Sequence, residues 1–165
     1  MITHLIFDWG DTVMKDYPEL TGPMYQWSHV ELIEGISVVL PELSVLFTCC
    51  IASNAGASDT QDMKMALKRV DVKRYFRYFF TSKDLGVEKP DLNFFKKIIE
   101  EIKSVPEDCI MIGNSYDKDI VGAKKAGMKT ILFMESITDF NFIFADIIIS
   151  SIFDLPKAVE KLCLA

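Results

Sequence analysis

The stretch His4-Leu5-Ile6-Phe7-Asp8-Trp9-Gly10-Asp11-Thr12-Val13 decides the fold. An apolar run this short is most simply a buried strand of a parallel sheet. It ends abruptly in Asp8, and Thr12 follows four residues later. Open α/β sheets bind ligands outside the carboxyl ends of their strands. Asp8 is therefore placed to act as a nucleophile or a metal ligand. The same carboxylate could equally start a turn, because Asp is a common turn residue.

Further apolar runs follow at residues 45–52 (V-L-F-T-C-C-I-A), 78–81, 109–112 (C-I-M-I), 130–134 (T-I-L-F-M) and 146–150 (D-I-I-I-S), the last expected at an edge. Amphipathic segments separate them. Met63, Ala66, Leu67 and Val70 fall on one helical face, with Ser58 and Gln61 spaced as a capping box. Phe95, Ile98, Ile99 and Ile102 repeat that spacing after Pro90 and Asp91, which read as start signals. Ile120, Ala123 and Ala126 form a third face stopped by Gly127, and Leu155 to Leu162 a closing helix starting near Asp154. Strands alternating with helices predict an α/β fold, a parallel sheet flanked by helices. Residues 15–41 differ. Tyr17, Pro18, Gly22, Pro23, Tyr25 and Trp27 predict an irregular loop, followed by a helix over about 31–40. Its aromatic residues either pack on the core or wall the ligand site.

Composition bounds the function. The chain has 165 residues, half of them hydrophobic, which suits one compact domain. A net charge of −6 argues against a broad nucleic-acid surface. An anionic substrate must then be met by local cations or a metal. The four cysteines, Cys49, Cys50, Cys109 and Cys163, form no C-x-x-C pair. They read as free thiols in a reducing cytosol, and a cytoplasmic protein is expected. No signal-type start and no run long enough to span a membrane is visible.

Three later strand ends carry polar groups. Ser53-Asn54-Ala55-Gly56 offers a hydroxyl, an amide and free N–H groups, a plausible phosphate cradle, although Ser and Asn also cap helices. In Glu88-Lys89-Pro90-Asp91, Pro90 holds Lys89 extended and could aim it into the crevice. Gly113-Asn114-Ser115-Tyr116-Asp117-Lys118-Asp119 groups oxygen donors suited to Mg²⁺, or caps a helix.

In this order the elements resemble the haloacid dehalogenase superfamily: D-x-x-x-T at residues 8–12, Ser53, Lys89 in E-K-P-D, and G-N-S-x-x-x-D at residues 113–119. The trailing G-A-K-K-A-G at residues 122–127 is similar too. The resemblance implies a three-layer Rossmann-like domain over residues 1–165, with a short lid-like segment at about 15–30. It implies a phosphomonoester hydrolase with Asp8 as nucleophile and an aspartyl-phosphate intermediate. Mg²⁺ would be held by Asp8, the Gly10 carbonyl, Asn114 and Asp119. Ser53, Asn54 and Lys89 would bind phosphoryl oxygens, Lys89 would also neutralise Asp8, and Thr12 would steady the turn beside them.

The chain departs from the phosphatase pattern twice. Gly10 stands where the motif has an acid/base Asp, with Asp11 one residue further on, and Asn114 stands where Asp is common. Asp11 is the candidate replacement. The alternatives are a catalytically weak phosphate-binding or regulatory protein, or phosphonate or carbon–halogen cleavage. The intervals between motifs are too short for a full cap domain. Monomer and homodimer are both left open.

Overall fold

The structure, a computed structural model, describes residues 1–136 and 141–165. Its centre is a parallel sheet of six strands: β1 (His4–Phe7), β2 (Thr48–Ser53), β3 (Tyr78–Thr81), β4 (Cys109–Gly113), β5 (Lys129–Phe133) and β6 (Ile147–Ile149). The order across the sheet is β3-β2-β1-β4-β5-β6, so the short run at Ile147–Ile149 is indeed an edge. From β1 the chain first builds outward to β3. It then returns to place β4 on the other side of β1. That reversal makes a topological switch point at the carboxyl ends of β1 and β4, the place where an open α/β sheet leaves a crevice.

Alternation along each strand feeds two apolar layers. Leu5, Phe7, Cys49, Ile51, Ile110 and Ile112 face α1 (Ile36–Leu46), α2 (Thr60–Arg69) and α6 (Leu155–Leu164). Ile6, Cys50, Ala52, Cys109 and Met111 face α4 (Leu92–Glu101) and α5 (Gly122–Lys125) on the other side. A short helix, α3 (Ser82–Leu85), follows β3. Both faces being apolar, the strands read as continuous hydrophobic runs.

Two boundaries differ from the sequence reading. The first long helix runs from Ile36 to Leu46, not over 31–40, and it contains Pro41. Val45 and Leu46, expected to open the second strand, end this helix and are 84% and 69% exposed. Periodicity cannot separate a helix end from a strand start inside one apolar run. The capping box of α2 lies one residue later than expected. The Asp59 carboxylate accepts the N–H groups of Gln61 at 2.9 Å and Asp62 at 3.0 Å, and Asp62 accepts the Asp59 N–H at 3.1 Å. Ser58 instead closes the preceding turn, its N–H donating to the Ala55 carbonyl. Asp59→Ala is expected to lower stability by about 1 kcal/mol in urea denaturation, the usual loss for a deleted N-cap. An unchanged midpoint would show that the cap contributes nothing.

Cys49, Cys50 and Cys109 are buried free thiols. Burial pushes the Cys49 thiol up to about 12 and that of Cys109 up to about 11, and it raises Cys50 as well. Such thiols are unreactive packing groups. Among the described residues no helix is long and apolar enough to cross a membrane.

Candidate active site

Asp8 is the first residue beyond β1, and its backbone N–H donates to the Ile112 carbonyl of β4 at 2.8 Å. It stands at the switch point, with 11% of its side chain exposed. Lys89 reaches it from the loop before α4. The Lys89 ammonium donates to Asp8 Oδ1 at 2.7 Å, to Asp119 Oδ1 at 2.6 Å and to the Ala52 carbonyl at 3.1 Å. All three ammonium hydrogens thus have an acceptor, which a lysine only 3% exposed requires. Burial works to lower the Lys89 pKa, but the Asp8 and Asp119 carboxylates outweigh it and the net shift is upward. Lys89 is held as a cation.

Asp119 is 1% exposed. Its Oδ2 accepts the Ser115 N–H at 3.0 Å, while Oδ1 takes the lysine. This loop-back arises because residues Tyr116–Val121 wind as a π-helix, the wide turn that often marks functional sites. It also demands a glycine on the strand below. A Cβ at Gly113 would collide with the Asp119 carboxylate. Gly113→Ala is expected to displace Asp119 and to lower stability by about 1–3 kcal/mol, the range for overpacking. Urea denaturation checks it; a wild-type midpoint would contradict the contact. Burial, then the neighbouring Asp8 charge, pushes the Asp119 carboxyl up to about 6.

The other expected residues fall into two groups. Ser53 ends β2 beside Thr81, is only 7% exposed, and lines a cavity of about 250 Å³ with Trp9, Gly10, Asp16, Asn54 and Trp27 among its walls. That placement suits a phosphate contact. Asn54 and Thr12 also bond to neighbouring site residues. The Asn54 carboxamide accepts the Lys89 N–H at 2.8 Å and donates to the Lys89 carbonyl at 2.9 Å. Both ends of it clamp the lysine's backbone, so the side chain positions Lys89 from the wall of the cavity that Ser53 lines. Thr12 is fully buried, and its hydroxyl donates to Asn114 Oδ1 at 3.3 Å. It orients the amide of the fourth strand end.

Residues 9–14 form a tight loop. The Val13 and Met14 N–H groups donate to the Trp9 carbonyl, and the Asp11 N–H to the Met14 carbonyl at 2.7 Å. Asp11 has φ +55, a conformation Asp tolerates better than most residues. Its carboxylate accepts the backbone N–H of Asp16 at 2.9 Å. It lines a second cavity, of about 310 Å³, with Asn114, Ile33 and Phe133. Asp16, which sequence reasoning missed, lines the first cavity beside Gly10 and Ser53. Although the residue is exposed overall, partial desolvation raises its carboxyl pKa, and the Asp11 and Asp8 charges add to that. No spacing rule points to Asp16, because its approach depends on how the loop closes.

The segment at 15–30 packs as an irregular wall. One 3₁₀ turn, Met24–Gln26, buries Met24. The Arg69 guanidinium of α2 donates to the carbonyls of Tyr25 at 2.9 Å and Trp27 at 2.6 Å. Gly22, Met24 and Trp27 line the cavity that holds Ser53.

A sheet reversing at β1 and β4, with Asp8 and Ser53 at its strand ends and Lys89 and Asp119 brought to Asp8 from the loop before α4 and the π-helix, can be set against known proteins. The profile of the haloacid dehalogenase-like hydrolases matches residues 6–133. The chain belongs to that family. The glyceraldehyde 3-phosphate phosphatase of Methanothermobacter thermautotrophicus is 34% identical over 73 residues, covering 44% of this chain and 32% of that protein. The chain thus spans about a third of that relative's length. Among solved structures, a protein from Listeria monocytogenes serotype 4b superimposes with a TM-score of 0.86 at 23% identity, covering 99% of this chain and 100% of its own. The HAD hydrolase YfnB of Bacillus subtilis, solved bound to magnesium, gives 0.78 at 18% identity over 96% of this chain and 99% of that one. At these identities the two structures speak to the fold, which they share with this chain across nearly its whole length.

The donors at the strand ends bear on a metal. Two buried carboxylates, Asp8 and Asp119, face one buried ammonium, Lys89, so the cluster carries an excess negative charge. Among the described residues no group of three or more His, Cys, Asp or Glu side chains could hold a metal ion. Asp8, the Gly10 carbonyl and Asn114 Oδ1 are instead hard oxygen donors with few charges. That set fits Mg²⁺, which keeps several waters, and it does not fit a dehydrated transition metal.

Proposed function

We propose that this chain is a Mg²⁺-dependent phosphohydrolase acting on a phosphomonoester through an aspartyl-phosphate. The observation that carries the reading is the Asp8 carboxylate at the switch point, bonded by a fully buried lysine. A carboxylate attacking a phosphate dianion must overcome like-charge repulsion, and Lys89 lowers it from the protein side. Mg²⁺, when bound by Asp8, the Gly10 carbonyl and Asn114, would offset the charge of the phosphoryl group. Asp119, which the sequence reading also gave to Mg²⁺, instead steadies Lys89, with both of its oxygens already engaged within the protein. Asn54 holds the lysine's backbone, so the ammonium keeps its aim while charge moves. The Ser53 hydroxyl, in the adjoining cavity, is placed to donate to a phosphoryl oxygen. Attack by Asp8 would release the alcohol, and water would then hydrolyse the aspartyl ester. Support comes also from the relatives named as phosphatases.

The test is release of inorganic phosphate from aryl and alkyl phosphates with and without Mg²⁺. Chelation is expected to lower turnover by about 10²–10³-fold, the equivalent of several kcal/mol of charge stabilisation. Turnover indifferent to chelation would remove the metal from the mechanism. Gly10, with no side chain where the family's phosphatases carry an acid, favours the second reading, a catalytically weak phosphate-binding protein. Phosphate binding by calorimetry without hydrolysis of any ester would establish that reading instead.

A further inference from the structure

We propose that Asp16 is the proton-transferring catalytic residue of this site, supplying from the following loop the carboxyl group that Gly10 lacks. The inference rests on the phosphohydrolase reading and assigns it a residue. Gly10 is not among the positive-φ glycines, so a side chain could leave it without backbone strain. A Cβ built there would point at Asp16, lying 3.5 Å from its Cβ, 3.8 Å from its Cγ and 3.8 Å from Oδ2. The Asp16 carboxyl group therefore lies in van der Waals contact with the position from which a side chain on residue 10 would project. That position borders the cavity also walled by Ser53, the proposed phosphate contact. A carboxyl group arriving from residue 16 and one projecting from residue 10 start in contact and border the same cavity.

The neighbouring acid is excluded by its own commitments. The Asp11 carboxylate accepts the Asp16 N–H at 2.9 Å, and it faces the other cavity, which Ser53 does not line. Asp11 is a positioning residue, fixing the backbone from which Asp16 projects. The residues flanking Asp16 are anchored too. The Lys15 N–H donates to the Glu31 carbonyl at 3.0 Å, the Lys15 ammonium pairs with the Glu31 carboxylate at 3.0 Å, and the Tyr17 hydroxyl donates to that carboxylate. A loop residue held on both sides and at its own N–H is preorganised, as proton transfer to a leaving group needs.

The proton balance is complete. As an Asp8 oxygen bonds to phosphorus and the P–O bond to the alcohol breaks, the Asp16 carboxylic acid gives its proton to the departing oxygen. The Asp16 carboxylate then takes one proton from the attacking water. That water's oxygen bonds to phosphorus, the P–O bond to Asp8 breaks, and hydrogen phosphate leaves. Asp8 is again a carboxylate and Asp16 again an acid.

The test compares the Mg²⁺-loaded wild type with Asp16→Asn, Asp11→Asn and the double variant Asp16→Asn/Gly10→Asp. The substrates are glycerol phosphate, with a poor leaving group, and p-nitrophenyl phosphate, with a good one. The readout is alcohol release in the first turnover. Asp16→Asn is expected to slow glycerol release by about 10²–10⁴-fold, the range for a lost general acid. It leaves the first release of nitrophenolate within about tenfold, because that group departs without a proton. Adding Gly10→Asp is expected to restore glycerol release at least about tenfold, since it returns a carboxyl group to the same cavity. Equal losses on both substrates would overturn the assignment, as would a leaving-group-selective loss in Asp11→Asn instead. Unchanged glycerol release in Asp16→Asn, while Asp8→Asn is inactive, overturns Asp16 alone. A wild type that cleaves neither ester overturns the role of Asp16 together with the reading beneath it.

Discussion

Asp8→Asn is expected to lower phosphate release by roughly 10⁴-fold or more, the scale on which losing a nucleophile is felt. The amide keeps the shape of the side chain and an oxygen for the Lys89 ammonium, but it cannot attack phosphorus. Its effect on folding should run the other way. In the wild type two buried carboxylates oppose one ammonium. Removing the Asp8 charge leaves Lys89 and Asp119 as a balanced pair, and it withdraws the second-largest cause of the raised Asp119 pKa. Buried charge without full compensation is destabilising. The melting temperature of Asp8→Asn should therefore equal or exceed that of the wild type. Phosphate release and thermal denaturation, measured on the same preparation, check both halves. Turnover within tenfold of the wild type would end the assignment of Asp8. A melting temperature several degrees lower would show that Asp8 was holding the fold, so that lost activity reported damage.

Lys89→Met carries the largest expected effect on stability. It removes the ammonium between Asp8 and Asp119 and leaves two carboxylates facing each other with 3% exposure at the vacated residue. Breaking a buried ion cluster from one side costs about 3–5 kcal/mol. In a chain of this size that is about 10 °C or more in melting temperature. Lys89→Met/Asp119→Asn should recover part of the loss, because the second change removes one of the stranded charges. Thermal melts of the wild type and the three variants, with Asp119→Asn completing the cycle, measure the coupling. Additive effects would mean that the lysine and Asp119 do not interact. Activity should fall in every variant lacking Lys89, whatever its stability, since among the described residues no other buried side chain carries positive charge.

These two expectations rest on residues visible in the sequence. Asp8 and Ser53 could be read there because a parallel sheet of apolar strands exposes chemistry where strands stop, and Lys89 and Asp119 because their motifs follow the third and fourth strands in the family's order. A polar residue just past an apolar run is therefore informative by position alone. The parallel sheet, the edge placement of the last strand and the family followed from the same pattern. Where one apolar run held the end of a helix and the start of a strand, at Val45 and Leu46, the pattern could not say where one became the other. The cap of α2 moved from Ser58 to Asp59 for a similar reason, since neighbouring polar residues compete and only loop geometry chooses.

What each polar group does was settled by contacts across long separations. Asn54 and Lys89 lie 35 positions apart, and only the packing of β2 beside the α4 loop makes the amide a clamp on the lysine. Thr12 and Asn114 meet across 102 positions because β1 and β4 are neighbours at the switch point. Asp16 reaches the space beside Gly10 through the closure of one loop, which no periodicity encodes. Local sequence thus determined which residues stand at the mouth of the sheet, through the length and polarity of its strands. The tertiary structure alone decided which of them face a cavity and which bond to their neighbours, because those contacts depend on distances that the chain sets only when it folds.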